Sequence, residues 1–453
     1  MEQRANFGSK LGIILASAGS AVGLGNVWRF PTEVGANGGA VFILIYIICV
    51  LVLGIPLMVA EFVVGRHTHR NTADAYRQLA PRSGWILQGY LGVFTAWFIL
   101  CYYGVVAGWT LKYLVDALLG RVAAITDSAA YFTTFSSHPW MPIAYMVAVM
   151  LMCHFVIVRG VQNGIERYSK LMMPLLLLII ALLVVFSFSM PGSREGMRFL
   201  LRPDFSKVSP DVFLSAMGQA FFSLSIAMGC LCTYASYFTD DARLVKTAGS
   251  VALIDTTVAI MSGFIIFPAV FSVQGGTPDA GPGLVFITLP TVFQMAFDTV
   301  PWLGWFFSVL FYLLLLLAAL TSMMSIHEPS TAFLLEHFSL RRHTATCIVT
   351  LSAIAVGVLC SLSFGPLADV RPLFGMTFFD FFDFISAKLF LPVGGIIISL
   401  FVGWKLPREL VHDEITNHGH LRFRFFALYR FVLRWVAPLA IGLVFLNELG
   451  LFK

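Results

Sequence analysis

Long hydrophobic runs follow one another along the whole chain, and short clusters of polar and charged residues separate them. A helix of about 20 apolar residues is long enough to cross a bilayer. The pattern therefore predicts an all-α polytopic membrane protein with eleven spans. The predicted spans lie at 11–37, 40–64, 86–120, 140–158, 166–190, 212–238, 246–273, 302–335, 345–363, 376–403 and 425–449.

Two of these spans contain residues that are unexpected in a helix facing lipid. The first holds SAGSAVGLGNVWRFP at 17–31, and the sixth holds GQAFFSLSIAMGCLCTYASY at 218–237. Non-helical backbone at membrane depth is tolerated only where it lines a cavity. We therefore predict unwinding from Gly19 to Gly25, which would free carbonyl oxygens for a hard cation and turn a half-helix N-terminus toward an anion. The alternative is that Gly23 and Gly25 only allow close helix packing.

The two interrupted spans are five spans apart, which is typical of an inverted repeat with a binding site at the midplane. We predict a single transmembrane domain, 1–453. Within it, 10–190 (spans 1–5) and 211–403 (spans 6–10) would form the two repeats, and 421–450 would add span 11. The external loop at 275–300 contains enough apolar residues to fold back as a lid.

Composition and charge agree with a membrane protein. Of 453 residues, 58% are hydrophobic and only 12% are charged, against about 25% in a typical soluble domain. Most lysines and arginines fall in loops on one side, which predicts a cell (inner) membrane protein with a cytoplasmic N-terminus and, after eleven spans, an external C-terminus. The loop at 191–211 departs from this bias. The basic residues fit contact with the lipid bilayer, and their pattern does not indicate nucleic-acid binding.

Other chemistry-bearing residues indicate neither an enzyme nor a haem, zinc or other transition-metal centre. The seven cysteines lie within predicted spans without a C-x-x-C pair, so we expect them to pack as small apolar residues. We expect the intramembrane pair His327–Glu328 to be solvated near the cytoplasmic end of its span. The sequence offers no nucleophile–base constellation. A channel would need a continuous polar stripe, and Phe222, Tyr103 and Met228 would block one.

Several motifs then occur in a fixed order along the chain. They are GSAVGLGNVWRFP followed by NGGAVF, GIPLMVAEFVVGR, CYYGVVAGWTLKYL, RGVQNGIERYSKLMMP, FFSLSIAMG with TYASY, and ALTSMMSIHEP. In this order they resemble the neurotransmitter:sodium symporter family, in its bacterial amino-acid branch, from about residue 4 to 450. The resemblance implies a 5+5 inverted repeat with broken helices 1 and 6, plus an eleventh helix.

The resemblance also implies two sodium sites built from oxygen ligands, which suit a hard cation. The first site would comprise Ala21, Asn26, Ser223 and Asp255, completed by the substrate carboxylate. The second would comprise the carbonyls of Gly19, Val22 and Ala318 and the hydroxyls of Thr321 and Ser322. From the residues alone, without the resemblance, the favoured interpretation is that these two hydroxyls donate hydrogen bonds to the preceding turn of their own helix.

By the same resemblance, a substrate cavity lies between the broken helices. Its lining would be Ala21, Leu24, Gly25, Ile99, Tyr103, Phe222, Ser223, Ser225, Met228, Ser322 and Ile326. Amide N–H groups at the breaks and the Tyr103 hydroxyl would hold a carboxylate, and the apolar members would surround a side chain. Because this set contains no acidic residue for a monoamine, we expect a neutral, hydrophobic or aromatic L-amino acid.

Gate residues follow from the resemblance as well. Arg29 and Asp383 resemble the extracellular ion pair. The cytoplasmic gate would comprise Arg4, Phe7, Ser236, Tyr237 and Glu336. Phe7 stands where tryptophan is common, and Glu336 stands where aspartate is common. Glu61 resembles the acid that supports the break in span 6.

Asp255 is expected to determine the anion requirement, because chloride-dependent relatives carry asparagine at this position. A fixed carboxylate beside the first sodium would replace the chloride, and a second hypothesis is that the empty carrier returns with a proton on Asp255. The function expected is therefore sodium-coupled import of neutral L-amino acids by alternating access, without chloride. The alternative is a transport-inactive amino-acid sensor of the same fold. The sequence favours no particular oligomeric state.

Overall fold

The computed structural model describes residues 6–122, 125–272, 285–296, 301–372 and 374–449. Within these residues nine continuous helices are long and apolar enough to cross a membrane, and a bent pair of helices makes a tenth span. The nine are Ala40–Thr68 (span 2), Ile86–Leu118 (span 3), Met141–Val158 (span 4), Val161–Ser187 (span 5), Leu244–Phe271 (span 7), Trp302–His337 (span 8), Arg342–Leu362 (span 9), Phe378–Lys405 (span 10) and Phe426–Glu448 (span 11). The predicted all-α polytopic fold is confirmed.

Span 1 is broken near its middle. It consists of two helices, Lys10–Ala21 and Gly25–Ala36, that meet at 52°. The Val22 N–H still donates to the Ala18 carbonyl at 2.7 Å, so the helical ladder continues to that point. Gly19 is therefore helical, and the prediction that unwinding begins there is wrong. Residues 22–24 lie between the two helices, and Leu24 already has helical torsion angles.

Span 6 is also broken. It consists of two short helices, Pro210–Ser223 and Cys230–Ala235. Between them Ser225, Ala227 and Gly229 have φ values of +54°, +68° and +71°, a region that costs non-glycine residues about 1–2 kcal/mol each. Neighbouring side chains stabilise this backbone, because the Ala227 N–H donates to Glu61 Oε1 at 2.6 Å and Thr72 Oγ1 donates to the Gly229 carbonyl at 2.9 Å. The predicted contact of Glu61 with this break is confirmed.

Spans 3 and 8 form the centre of the bundle. Their most apolar stretches are 72% and 67% buried, whereas that of span 11 is only 33% buried. Spans 3 and 8 pack along each other, and span 8 also packs against the first half of span 1. Every residue of 22–24 and 224–229 is buried. Both breaks therefore lie inside the protein, where their polar backbone groups are shielded from lipid.

Short helices connect the spans. In the described part of the chain, those of eight or nine residues are Thr72–Leu79, Ser128–Ser136, Ser193–Leu201, Thr288–Ala296 and Arg408–Ile415. The predicted lid at 275–300 lies largely outside the described residues. Its described helix packs against spans 7 and 8 through buried Leu289 and Phe293. The repeat boundaries 10–190 and 211–403 and the additional segment 421–450 stay predictions.

Candidate functional site

A buried polar cluster joins the break of span 1 to spans 6 and 7. Asn26 and Asp255 are both 0% exposed. Asn26 Nδ2 donates to Asp255 Oδ1 at 2.6 Å, Ser223 Oγ approaches both carboxylate oxygens at 3.0 and 2.9 Å, and the Tyr46 hydroxyl donates to Oδ2 at 3.1 Å. The structure thus brings together three of the four residues predicted for the first sodium site. The fourth, Ala21, is buried at the end of the first half of span 1.

The chemistry of this cluster suits a small cation. Carboxylate, amide and hydroxyl oxygens are hard ligands. Among the described residues, no Lys, Arg or His nitrogen lies within 4.0 Å of the Asp255 carboxylate. A buried carboxylate that has hydrogen bonds but no basic partner is a favourable place for a monovalent positive charge.

A second group of oxygens lies where span 1 meets span 8. Ser322 Oγ donates to the Val22 carbonyl at 3.1 Å, and Thr321 Oγ1 lies 3.4 Å from the same oxygen and 3.0 Å from the Ala318 carbonyl. Gly19 is adjacent, since a Cβ there would lie 3.3 Å from Thr321 Cβ. All five residues predicted for the second sodium site are therefore neighbours. Thr321 also bonds the carbonyl four residues earlier in its own helix, as the alternative interpretation expected.

A cavity of about 660 Å³ opens on one face of the bundle. Four residues of the predicted substrate set border it, namely Leu24, Gly25, Tyr103 and Phe222. The Leu24 N–H donates to the Tyr103 hydroxyl at 3.2 Å, so a backbone amide and a phenol meet at the cavity wall. The remaining members of the set do not border this cavity in the described structure and are buried in the protein. They are Ala21, Ile99, Ser223, Ser225, Met228, Ser322 and Ile326.

The two residues of the predicted extracellular gate border the same cavity without touching. Within the described chain, Arg29 and Asp383 form no ion pair of 4.0 Å or less. The Arg29 guanidinium lies 4.6 Å from the centre of the Phe222 ring, and its Nε is 3.8 Å from Glu33 Oε1. The predicted ion pair is therefore separated by the open cavity in this arrangement.

The opposite face is closed around Phe7. This side chain is 2% exposed and packs edge-on against the rings of Tyr234 and Tyr237, at 5.9 and 6.2 Å. The Phe7 N–H also donates to the Tyr237 carbonyl at 2.9 Å. These contacts hold the segment that precedes span 1 against the second half of span 6.

Other residues of the predicted cytoplasmic gate lie on this face too. Glu336 Oε2 accepts hydrogen bonds from the backbone and side-chain amides of Asn71, at 2.8 and 3.0 Å. Ser236 Oγ donates to the Thr233 carbonyl at 2.5 Å. Arg4 lies outside the described residues.

The prediction that His327 and Glu328 are solvated is wrong. Both are 0% exposed. Glu328 accepts hydrogen bonds from two guanidinium nitrogens of Arg342, at 3.0 and 2.6 Å, and from the Tyr237 hydroxyl at 2.8 Å. His327 bonds two threonine hydroxyls at 2.9 Å each. The partners come from other helices or from the next turn, so burial leaves no charge of Glu328 unpaired.

Comparison with known proteins identifies this arrangement. The sequence profile of the Sodium:neurotransmitter symporter family matches residues 4–139 and 132–453. The chain belongs to this family. The symporter is 39% identical over 448 residues to the "uncharacterized sodium-dependent transporter YhdH" of Bacillus subtilis, covering 98% of each chain. It is 33% identical over 461 residues to an "uncharacterized sodium-dependent transporter" of Haemophilus influenzae, covering 99% of each.

The symporter also resembles a solved structure. The crystal structure of MhsT in complex with L-phenylalanine matches it with a TM-score of 0.89 and 40% sequence identity, over 98% of this chain and 100% of that chain. The chain is therefore a sodium-dependent membrane symporter and not an enzyme.

One part of the symporter's cavity was not anticipated from the sequence. The cavity extends between spans 10 and 11, where Lys388 Nζ and Glu448 Oε2 lie 3.2 Å apart on its wall. The signal available in the sequence was two charged residues within apolar spans. A charged side chain in a membrane span costs free energy, so such residues usually have a function. No local motif connects two residues that lie on different helices.

Proposed function

We propose that this symporter imports neutral, hydrophobic or aromatic L-amino acids with sodium, and that it needs no chloride. The observation that carries the proposal is the fully buried Asp255 carboxylate, hydrogen-bonded to Asn26, Ser223 and Tyr46 between the broken spans. This carboxylate would supply, as a fixed group, the negative charge that chloride provides in other relatives.

Two groups of oxygens support two proposed sodium sites. The first would use Ala21, Asn26, Ser223 and Asp255, and the substrate carboxylate would complete it. The second would use Gly19, Val22, Ala318, Thr321 and Ser322. Hard oxygen donors are the ligand type expected for an alkali cation.

The cavity supports a zwitterion with an apolar side chain. The Leu24 amide and the Tyr103 hydroxyl suit a carboxylate, and Phe222 contributes an aromatic wall. A Cβ at Gly25 would lie 3.1 Å from the Phe222 ring, so glycine leaves room there for a ligand. Buried Ile99, Met228 and Ile326, which the family resemblance assigns to the side-chain subsite, favour an apolar group. The relative MhsT was crystallised with L-phenylalanine, which favours the same class of substrate.

Alternating access is the proposed mechanism. The face that contains Arg29 and Asp383 is open, and the face that contains Phe7 and Tyr237 is closed. The charge bias indicates that the protein lies in the cell (inner) membrane with its N-terminus on the cytoplasmic side. In this orientation the open face is external. Sodium would favour the outward-open arrangement, substrate that bridges the two broken helices would favour closure of this face, and loss of the second sodium to the inside would open the other side.

Uptake by purified protein in liposomes tests the proposal. With sodium high outside, labelled L-phenylalanine should accumulate inside, and replacing chloride by gluconate should not reduce the rate. Unlabelled neutral aromatic and aliphatic amino acids should compete, whereas acidic ones and monoamines should not. Sodium-dependent binding without accumulation would instead support the amino-acid sensor. A chloride requirement would contradict the role given to Asp255.

A further inference from the structure

Three arginines converge where spans 10 and 11 meet at the face that the charge bias assigns to the cytoplasm. Arg430 Nη2 and Arg434 Nε both donate to the Gly403 carbonyl, at 2.9 and 2.7 Å. Arg408, at the start of the connecting helix, borders a pocket of about 380 Å³ together with these two arginines. Because two guanidinium groups share a single oxygen, their positive charges are held close together.

The charges of this cluster are not balanced by nearby acids. In the part of the chain that the structure describes, no carboxylate lies within 4.0 Å of the guanidinium groups of Arg408, Arg430 or Arg434. Glu409 is the acidic neighbour, and its side chain is exposed on the helix that carries Arg408. Arg430 Nε is buried and has no described hydrogen-bond partner. The cluster therefore has both net positive charge and an unused donor, which together favour an anion.

The surroundings of the cluster are those of a membrane interface. Arg434 lies 4.8 Å from the centre of the Trp404 ring, and Trp404 and Trp435 pack edge to face, each about half exposed. Tryptophan is enriched at the level of lipid headgroups. Phe431, on the same side of span 11 as Trp435, is 54% exposed and borders the pocket. An acyl chain would find an apolar surface directly beside the arginines.

We propose that this pocket, lined by Arg408, Arg430, Arg434, Phe431 and Trp435, binds the phosphate of an anionic phospholipid of the cytoplasmic leaflet. The guanidinium groups would bind the phosphate oxygens, since planar guanidinium donors match that geometry. The exposed aromatic rings would contact the acyl chains. A free phosphate ion shares the headgroup chemistry but gains nothing from the rings, so the combination of arginines and exposed apolar residues favours the lipid.

Native mass spectrometry of the delipidated, detergent-purified protein tests the proposal. Phosphatidylglycerol and phosphatidylcholine with identical acyl chains are titrated separately, and inorganic phosphate is titrated in a third arm. We expect phosphatidylglycerol to bind in preference to phosphatidylcholine. Arg408→Gln should weaken phosphatidylglycerol binding about fivefold, and Arg430→Gln/Arg434→Gln about 25-fold, since each arginine near a membrane surface contributes about fivefold.

Matched variants distinguish binding at this site from nonspecific attraction of anionic lipid to exposed arginines. Arg422→Gln/Arg424→Gln removes two exposed arginines from the same connection and should leave phosphatidylglycerol binding unchanged. Arg408 makes no side-chain hydrogen bond in the described structure, so its variant tests the site even if the double variant misfolds. Equal losses in the two double variants, or equal binding of both lipids, would overturn the proposal. Displacement of phosphatidylglycerol by millimolar inorganic phosphate, or a dimer that forms through this face, would do so as well.

Discussion

Replacing Asp255 by asparagine should make transport depend on chloride. The substitution keeps the size of the side chain, replaces one acceptor oxygen by an amide donor and removes one negative charge from a fully buried cluster. The donors Tyr46 and Ser223, at 3.1 and 2.9–3.0 Å from the carboxylate, would remain to bind an anion. Chloride could then restore the lost charge beside the proposed sodium site.

The size of the effect follows from the burial of this charge. Two unit charges about 4 Å apart attract by about 4 kcal/mol at the effective dielectric constant of about 20 that describes protein sites. This energy corresponds to roughly three powers of ten in an equilibrium constant. Solvent and relaxation will reduce it, so we expect sodium affinity to fall by about 10- to 1,000-fold without chloride. Much of this loss should be recovered in chloride.

Initial rates of labelled L-phenylalanine uptake into proteoliposomes, measured against sodium concentration in chloride and in gluconate, provide the assay. Asp369→Asn, which changes an exposed loop residue in the same way, is the control and should behave as wild type in both salts. The reasoning would be refuted if Asp255→Asn kept its wild-type sodium dependence in gluconate. Equal inactivity in both salts, with unchanged thermal stability, would also refute it. Varying the internal pH of the same liposomes tests whether the empty carrier returns with a proton on Asp255.

Three further predictions concern individual contacts. Ser322→Ala removes a hydroxyl that bonds the break of span 1 at 3.1 Å, and the sodium concentration for half-maximal uptake should rise at least fivefold, from the loss of about 1 kcal/mol. Ala227→Gly removes the steric strain of a φ of +68°, which should stabilise the folded protein by about 1 kcal/mol and raise its melting temperature in detergent. A lower melting temperature would contradict this. Although burial opposes ionisation, the hydrogen bond from His67 and the charge of Arg66 hold the pKa of Glu414 below 4.5. The stability from this contact should therefore be complete above about pH 4.5 and be lost as the pH falls further, and Glu414→Gln should flatten that dependence.

The broken helices could be predicted from the sequence because their cause is local. Glycines, an asparagine and an arginine within one apolar run are incompatible with a helix that faces lipid. The boundary of the break was not predictable in the same way. Gly19 could have unwound, but the Val22 N–H continues the helical ladder to Ala18, and neighbouring helices decide which of several glycines loses its hydrogen bonds.

The polar clusters depend on contacts between distant parts of the chain. Asn26 meets Ser223 and Asp255 across 197 and 229 residues, and only the family resemblance assigned them to one site. Glu328 was interpreted from the local sequence alone, without the family resemblance. Its partner Arg342 lies at the start of span 9, and its partner Tyr237 lies in the turn after span 6, so the local pattern suggested a solvated pair where the structure has a buried one.

The hydrogen bonds around the two breaks differ in strength, and this difference indicates which contacts an ion would control. The break of span 6 is bound to Glu61 of span 2 by a short hydrogen bond to a carboxylate, 2.6 Å from the Ala227 amide. The break of span 1 meets span 8 through neutral hydroxyls at 3.1 and 3.4 Å from the Val22 carbonyl. The hydrogen bond to Glu61 is at least 0.5 Å shorter than either contact from span 8. A cation between Val22 and Ser322 would therefore strengthen the weaker of the two contacts most, and its loss would release span 1 from span 8 while spans 2 and 6 stay together.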